Sequence, residues 1–376
     1  MNNFLIIPDS FKGTLSASAV CDAIETGILN ILPDPKIKKI PAADGGEGTV
    51  DALLNALGGE KIHLTVSDPY RRPIEGFYGI LPNGTAVIEM AAAAGLPLLK
   101  KEELDPKKTT TYGVGELLDD AIKRGCTDIL LGLGGSCTND FGCGAAAAMG
   151  AVFKDASGNA FLPTGGTLSD IKDYDLTKIK ERLCGINITV ICDIKNAAYG
   201  KKGAAYVFAP QKGADENAVK ELDDNLRALG NLILEKEQID VQQIKGGGAA
   251  GAMGAGMTVF FGAKLISGID AILDAVDFEK IAPEYDIIFT GEGMFDLQSL
   301  DGKVCIGVAK RAKALGIPVI VIAGGIGDHM ELAYSLGVRA MFSINRLPMP
   351  LSLSAPFTED NLIAVTENII HTLTIQ

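Results

Sequence analysis

The sequence predicts an α/β protein with a doubly wound, mostly parallel sheet domain and an inserted second α/β domain that contains hairpins. Three observations lead to this fold class. Short apolar runs alternate with amphipathic helices at both ends of the chain. The middle of the chain carries hairpin patterns instead. Glycine-rich loops with acidic residues follow several apolar runs, at the positions where parallel α/β sheets bind ligands.

The chain has 376 residues, which favours two domains over one core. We predict a discontinuous domain of residues 1–62 and 265–376 and an inserted domain of residues 63–264. An alternative adds residues 107–150 to the first domain. The active site is expected in a cleft between the two domains, which is a usual place for a substrate.

The N-terminal segment predicts two βα units. Apolar residues recur at three- and four-residue steps in both helices, and Ser16 is a candidate N-cap for the first. Right-handed crossovers between such units give a parallel sheet. The predicted elements are a strand at 3–8, a helix at 16–31, a strand at 37–40 and a helix at 49–57.

The middle of the chain predicts two hairpins and two prominent helices. The first hairpin pairs 74–81 with 85–90 around Asn83-Gly84, a dipeptide typical of two-residue turns. The remaining elements are a hairpin at 151–161 with its turn at 155–159, a helix at 113–124, a strand at 128–133 and a charged helix at 215–235.

The C-terminal segment returns to βα alternation and completes the first domain. Its predicted elements are strands at 286–290, 318–322 and 338–343 and helices at 304–315, 330–336 and 358–373.

Composition and charge exclude several function classes. The net charge of −13 opposes a large phosphate-backbone footprint, and the absence of Trp with 6% aromatic residues argues against stacking of single-stranded nucleic acid. No membrane segment is predicted, and the N-terminus lacks a signal-peptide pattern, so a cytoplasmic location is expected. Seven cysteines without a Cys-x-x-Cys pair argue against zinc and disulfides.

The acidic glycine loops indicate phosphoryl transfer. Glycine lets backbone N–H groups approach an anion, helix N-termini favour negative charge, and carboxylates suit Mg²⁺. The acidic loops are Asp9–Gly13, Asp44–Thr49, Gly134–Asp140, Cys192–Asn196, Gly291–Lys303 and Gly324–Asp328. The Pro210–Gly213 turn has no acidic residue and is a further, ambiguous candidate. Because histidine is scarce, Asp, Glu or Lys is expected to transfer protons.

A formal Gly-x-Gly-x-x-Gly at Gly246, Gly248 and Gly251 is an alternative nucleotide signal. A dinucleotide fingerprint requires a buried strand before it, and residues 242–245 make a poor one. A close-packed glycine and alanine turn or helix is the favoured interpretation. A nicotinamide-dependent oxidoreductase and a non-catalytic binding protein remain the alternatives to a kinase.

Taken in order along the chain, these loops closely resemble the bacterial glycerate kinase family, which has no P-loop. The motifs are Pro8–Gly13, Ala43–Thr49, Gly134–Asp140, Pro210–Ala214 and Thr290–Lys303. The resemblance implies ATP-dependent phosphorylation of D-glycerate at the 2- or the 3-hydroxyl, with Mg²⁺. It also implies a discontinuous flavodoxin- or Rossmann-like domain and an inserted second domain. The expected partner is this small molecule, with no nucleic acid or membrane, and the chain could form a homo-oligomer.

The resemblance also suggests roles for the loop residues. Asp193 is the candidate base for the attacking hydroxyl, and Lys12 and Asp9 are the other candidate catalytic residues. Glu292 and Asp296 are the candidate metal ligands. The candidate substrate- or phosphate-binding residues are Ser10, Asp44, Gly45, Gly46, Gly134, Gly135, Ser136, Asn139, Asp140, Gln211, Lys212 and Lys303.

The sequence departs from the family pattern at several loop positions. Cys137 stands in place of a usual Ala, Phe141 in place of a usual Gly and Cys305 in place of a usual Pro. Phe141 is expected to narrow the substrate pocket.

Overall fold

The protein is seen in a computed structural model that describes residues 2–42, 45–347 and 349–374. The strands are β1 Asn3–Ile6, β2 Lys36–Lys39, β3 Glu60–Ser67, β4 Pro73–Ile80, β5 Ala86–Glu89, β6 Asp128–Gly132, β7 Val152–Lys154, β8 Ala160–Phe161, β9 Asp173–Asp175, β10 Asn187–Ile191, β11 Lys264–Ile266, β12 Ile287–Phe295, β13 Val319–Ile326 and β14 Val338–Ser343.

The helices agree closely with the predicted ones, and several short ones are added. They are α1 Ala17–Leu29, α2 Thr49–Leu57, α3 Ala91–Ala94, α4 Tyr112–Lys123, α5 Cys143–Ala148, α6 Thr177–Arg182, α7 Ala204–Phe208, α8 Glu216–Glu237, α9 Ala249–Phe261, α10 Gly268–Ala275, α11 Phe278–Ile281, α12 Val304–Ala314, α13 Leu332–Ser335, α14 Leu351–Ser354 and α15 Thr358–Leu373. None of the described helices is long and apolar enough to cross a membrane.

The first compact unit comprises Met1–Ala43 and Ser267–Gln376. Its five strands are all parallel and follow the order β14-β13-β12-β1-β2. Numbered within the unit, this is the order 2-1-3-4-5 of flavodoxin-like sheets. The prediction of a doubly wound parallel domain is therefore confirmed.

The core of the first unit explains why α1 and α15 form where they do. Ser16 caps α1 by accepting a hydrogen bond from Ala19 N at 3.2 Å, as predicted. The apolar stripe of α1, including Ile24, packs in one buried cluster with Phe289 of β12 and Leu362 of α15. Burial of such a stripe, rather than helix propensity, supplies most of a helix's stability.

The second unit comprises Asp44–Ile266 and contains two sheets. The larger sheet has the order β11-β10-β6-β5-β4-β3, with parallel pairing from β11 to β5 and antiparallel pairing from β5 to β3. The smaller sheet, β8-β7-β9, is antiparallel. Both predicted hairpins are present, since β4 pairs with β5 and β7 pairs with β8.

The first domain boundary lies at residues 43/44 and not at the predicted 62/63, whereas the second lies within two residues of the prediction. Helix α2 packs on β4 and β5 of the second unit. The Val50 N–H donates to the buried Glu89 carboxylate at 2.6 Å, which fixes the helix there. Residues 107–150 also belong to the second unit, because β6 pairs with β5 and β10. The alternative that placed them in the first domain is wrong.

Strand β12 is longer than predicted and continues through one of the acidic loops. Residues Gly291–Phe295 pair in parallel with the end of β13, so that Met294 lies opposite Gly325. The Glu292 side chain is therefore held by a strand and not by a loop.

Candidate active site

The first unit contains a cavity of about 500 Å³ at the carboxyl ends of β1 and β12. These neighbouring strands lead to opposite sides of the sheet, because β1 continues to β2 and β12 continues to β13. This is the topological switch point at which open α/β sheets bind ligands. We call it the unit 1 cavity. The predicted residues that line it are Asp9, Ser10, Lys12, Glu292, Asp296 and Lys303.

The segment after β1 is held in place by its own backbone. Asp9 N donates to Gly291 O at 2.8 Å, which extends the pairing of β1 with β12. Ser10 N donates to Asp9 Oδ1 at 2.6 Å. Phe11 is 2% exposed and anchors the turn, whereas the neighbouring Lys12 is exposed. The turn thus presents a carboxylate and an ammonium group on a fixed backbone.

Glu292 has a buried carboxylate oxygen that has no hydrogen-bond partner among the described residues. The residue is 6% exposed, and burial raises the pKa of its carboxyl group while hydrogen bonds from Ser299 and Cys305 oppose that rise. Its Oε1 atom has no hydrogen-bond partner in the described part of the chain. An unpaired buried oxygen of this kind is costly unless a ligand completes it.

Asp296 lines the same cavity as Glu292. Gln298 N donates to Asp296 Oδ1 at 2.9 Å, and Asp296 N donates to Ser299 Oγ at 3.1 Å. Residues 2–42, 45–347 and 349–374 contain no group of three or more His, Cys, Asp or Glu side chains placed to hold a metal ion. Mg²⁺ is commonly held by one or two carboxylates together with substrate phosphates, so these two residues fit Mg²⁺.

The second unit contains a separate cavity of about 280 Å³ at the carboxyl ends of β6 and β10. We call it the unit 2 cavity. The predicted residues that line it are Gly134, Gly135, Ser136, Asp193, Gln211 and Lys212. The structure thus divides the predicted site residues into two sets, one in each unit.

Two glycine pairs in the second unit serve close backbone packing. Gly134 N donates to Gly45 O at 3.0 Å. A Cβ atom on Gly134 would lie 2.4 Å from the Cα of Gly46, and Gly45 has a φ of +77°. Gly45 and Gly46 therefore support the Gly134–Gly135 loop from behind and do not line either cavity.

Lys212 is the most unusual polar residue of the unit 2 cavity. It is 1% exposed and ends a 3-10 turn, Pro210–Lys212. Its Nζ donates to Ser136 Oγ and to the Thr138 carbonyl oxygen, both at 2.7 Å. Burial lowers the pKa of the Lys212 ammonium from 10.5 to about 8.

Two other predicted residues, Asp140 and Asn139, do not line either cavity. Asp140 is fully buried, and its carboxylate accepts hydrogen bonds from Thr111 N at 2.8 Å and from Gly142 N at 3.2 Å. We therefore expect Asp140 to hold the loop in shape. Asn139 is also fully buried, and its side-chain amide has no partner among the described residues. Asp44 lies outside the described residues.

The expectation that Phe141 narrows the substrate pocket is wrong. Its side chain is fully buried and packs edge to face on Phe260, with ring centroids 5.7 Å apart. Its φ of +57° lies in the left-handed region that glycine tolerates best. The aromatic packing offsets the cost of this backbone conformation.

The Gly246–Gly256 segment is close-packed but only partly helical, because Ala250, Gly251 and Ala252 inside α9 have φ values of +53°, +66° and +66°. The turn before it, Val241–Gln243, is a 3-10 helix and not the strand that a dinucleotide fingerprint requires. A Cβ atom on Gly251 would lie 2.2 Å from the Thr138 carbonyl oxygen, and one on Gly256 would lie 1.8 Å from that of Phe141. These glycines allow backbones to touch, so the motif gives no support to the nicotinamide alternative.

Sequence reasoning missed most of the apolar walls of both cavities. Met294, Ile344 and Met349 line the unit 1 cavity, and Leu96 and Phe208 line the unit 2 cavity. No local signal distinguishes these residues from ordinary core or surface residues. The Gly324–Gly325 pair at the end of β13 was a usable signal for the unit 1 cavity.

Comparison with known proteins agrees with the resemblance seen in the motifs. Residues 4–374 match the model of the glycerate kinase family. The chain is 42% identical to a glycerate kinase of Halalkalibacterium halodurans over 94% of this chain and 93% of that protein. It is 42% identical to glycerate 2-kinase of Escherichia coli over 99% and 98%, respectively.

A solved structure shows the same fold. A crystal structure from Salmonella typhimurium LT2, described provisionally as glycerate kinase 2, superposes with a TM-score of 0.84 at 40% identity. The match covers 99% of this chain and 98% of that chain. The family match, the near full-length relatives and the shared fold together show that this chain belongs to the glycerate kinase family.

Proposed function

We propose that the protein is a glycerate kinase that transfers the γ-phosphoryl group of ATP to D-glycerate and releases ADP. The observation that carries this proposal is the division of the motif residues into two cavities of different size and chemistry. A phosphotransferase needs one site for a phosphorylated donor with its metal and another for the acceptor. The predicted cleft between the domains stays a prediction, as does the cytoplasmic location.

The unit 1 cavity suits the nucleotide. Its volume of about 500 Å³ lies within the range of about 300–1,000 Å³ typical of small-molecule sites. Lys12 and Lys303 are exposed in its wall and can neutralise phosphate charge. Glu292 and Asp296 would hold Mg²⁺, which neutralises charge on the phosphates when bound.

The unit 2 cavity suits the acceptor. Its volume of about 280 Å³ is small for a nucleotide but large enough for a three-carbon hydroxy acid. Asp193 lines this cavity two residues after the end of β10, where a carboxylate can accept a proton from a bound hydroxyl. Gln211 and Lys212, which come from a later segment of the chain, supply hydrogen-bond donors to the same cavity.

In the proposed reaction, Asp193 accepts the proton of the attacking hydroxyl as the new oxygen–phosphorus bond forms. The bond between the γ-phosphorus and its bridging oxygen breaks, and ADP leaves. Lys12 and Lys303 stabilise the negative charge on the phosphoryl oxygens, which is the main requirement of phosphoryl transfer. Because the Escherichia coli relative is named a glycerate 2-kinase, we propose the 2-hydroxyl as the acceptor.

An ADP-release assay with D-glycerate, ATP and Mg²⁺ tests the proposed function. Phosphorus NMR of the product identifies which hydroxyl carries the phosphate. The proposal predicts ADP release that depends on D-glycerate and yields the 2-phosphate. Folded protein that releases no ADP in response to D-glycerate would rule out the proposed activity.

A further inference from the structure

The buried Lys212 ammonium faces the unit 2 cavity and forms no ion pair with the described residues. Lys212 is 1% exposed, and no described carboxylate forms an ion pair with it. Asp140 and the Cys137 thiol influence it through space only. An ammonium group that has lost its water and has no counter-ion is strongly disfavoured. A bound ligand that carries a negative charge would remove this cost.

The hydrogen bonds made by Lys212 and Ser136 leave each of these residues with a donor that a ligand can use. The Lys212 ammonium has three N–H groups, and two of them donate to Ser136 Oγ and Thr138 O. Because an ammonium can only donate, Ser136 Oγ must accept, and its own O–H remains available. Within the described residues neither the third N–H of Lys212 nor this O–H has an acceptor. Both residues line the cavity.

The loop that carries Ser136 is rigidly supported. Behind it, the buried Asp140 carboxylate accepts hydrogen bonds from Thr111 N at 2.8 Å and Thr111 Oγ1 at 2.9 Å. Phe141 N donates to Gly251 O at 3.1 Å and fastens the end of the loop. A donor pair on such a frame is organised before the ligand arrives, which favours binding of an anionic oxygen.

We propose that Lys212 and Ser136 bind the carboxylate of the acceptor and so select a hydroxy acid over an uncharged polyol. The inference rests on the proposed function, because the acceptor is taken to occupy the unit 2 cavity. A carboxylate offers acceptors to both donors and supplies the charge that Lys212 lacks. The selection acts on binding, before any phosphoryl transfer.

The deciding variant is Lys212→Met, which keeps the length of the side chain and removes its charge. We expect it to weaken D-glycerate binding about 10- to 100-fold when measured by calorimetry without nucleotide. Its melting temperature should be equal to or higher than that of the wild type, because a buried unpaired charge has been removed. Lys220→Met, at an exposed lysine of α8, is the matched control and should change neither quantity.

Ser136→Ala gives a second test that does not depend on the folding of the first variant. It should weaken D-glycerate binding about fivefold and leave ATP binding unchanged. Wild-type protein should bind glycerol far more weakly than D-glycerate. Inorganic phosphate is the further probe, because binding of phosphate that depends on Lys212, with D-glycerate unaffected, would assign the pair to the phosphoryl group and overturn the inference.

The two proposals can fail separately. If wild-type protein releases ADP with D-glycerate but both variants bind D-glycerate as tightly as the wild type, the carboxylate inference is wrong and the kinase function stands. If wild-type protein binds D-glycerate through Lys212 but releases no ADP, the kinase function is wrong and the binding site stands.

Discussion

The protonation of Lys212 should make D-glycerate binding depend on pH near 8. D-glycerate binding is compared at pH 7 and pH 9 in the absence of nucleotide. With a pKa of about 8 in the unliganded protein, about nine tenths of the molecules carry the ammonium at pH 7 and about one tenth at pH 9. If only the charged form binds the carboxylate, the dissociation constant should rise about tenfold between these pH values.

The two thiols near Lys212 do not cause this change in the dissociation constant. Burial raises the pKa of the Cys137 thiol to about 12 and that of the Cys192 thiol to about 11, so both stay neutral to pH 9. Asp140 acts on Lys212 through space, and Asp193 lines the same cavity. The carboxylate of D-glycerate is ionised throughout.

Isothermal titration calorimetry between pH 6.5 and about 9.5 measures this dependence, and Lys212→Met is the control. The variant should bind weakly at every pH. A wild-type dissociation constant that does not change from pH 7 to 9, or a variant with the wild-type pH dependence, would show that the charge of Lys212 does not control D-glycerate binding.

The stability of the folded protein should also depend on pH, and the contribution of Lys212 should make it rise between about pH 8 and 10.5. The Lys212 pKa is lower in the folded chain than its ordinary value of 10.5, so the unfolded chain binds more protons between about pH 8 and 10.5. Lys212 therefore lowers the free energy of unfolding by its full amount below pH 8, and this destabilisation decreases as the pH rises towards 10.5. The lowered pKa of Lys212 corresponds to a loss of about 3 kcal/mol in the free energy of unfolding.

Three further substitutions give independent tests. Glu292→Gln removes the charge from a buried oxygen that has no partner among the described residues. The Mg²⁺ concentration for half-maximal ADP release should therefore rise about tenfold or more, while the affinity for D-glycerate stays unchanged. Asp193→Asn should lower turnover by about 100-fold or more without changing the unfolding midpoint, and wild-type turnover would exclude Asp193 as the base. Phe141→Ala should destabilise the protein by about 3–5 kcal/mol in denaturant titrations, because its ring packs on Phe260, and should leave the KM for D-glycerate unchanged.

Much of the fold was predictable because periodicity and turn residues act locally. The Asn83-Gly84 turn and the apolar faces of α1 and α15 are visible in a few neighbouring residues. The sheet to which a helix belongs is not a local property. Helix α2 was found where predicted, but its apolar face could not show that it packs on β4 and β5.

The candidate site was predictable as a set of residue types and less so as a set of roles. Asp9, Asp193 and Lys212 were singled out from their loops, and all three line a cavity. Asp140 looked the same in sequence, yet five donors from neighbouring backbone and side chains surround its carboxylate in the interior. A carboxylate suits both a ligand and an internal hydrogen-bond centre, and only the three-dimensional arrangement decides between them.

The depressed pKa of Lys212 was likewise beyond sequence reasoning. It arises from burial beneath segments that are distant along the chain, namely the loop that carries Ser136 and Thr138 and the turn that carries Lys212 itself. The Pro210–Gly213 motif gave no indication of that burial, and by itself it is equally typical of a surface turn.

Ligand binding by Lys212→Met and Lys303→Met distinguishes the acceptor site in the unit 2 cavity from the nucleotide site in the unit 1 cavity. ATP with Mg²⁺ and D-glycerate are titrated separately into each variant and into the wild type. We expect Lys212→Met to weaken binding of D-glycerate but not of ATP, and Lys303→Met to weaken binding of ATP but not of D-glycerate, each by about tenfold or more. The opposite pairing, or equal losses for both ligands in either variant, would contradict the assignment of the acceptor to the unit 2 cavity and the nucleotide to the unit 1 cavity.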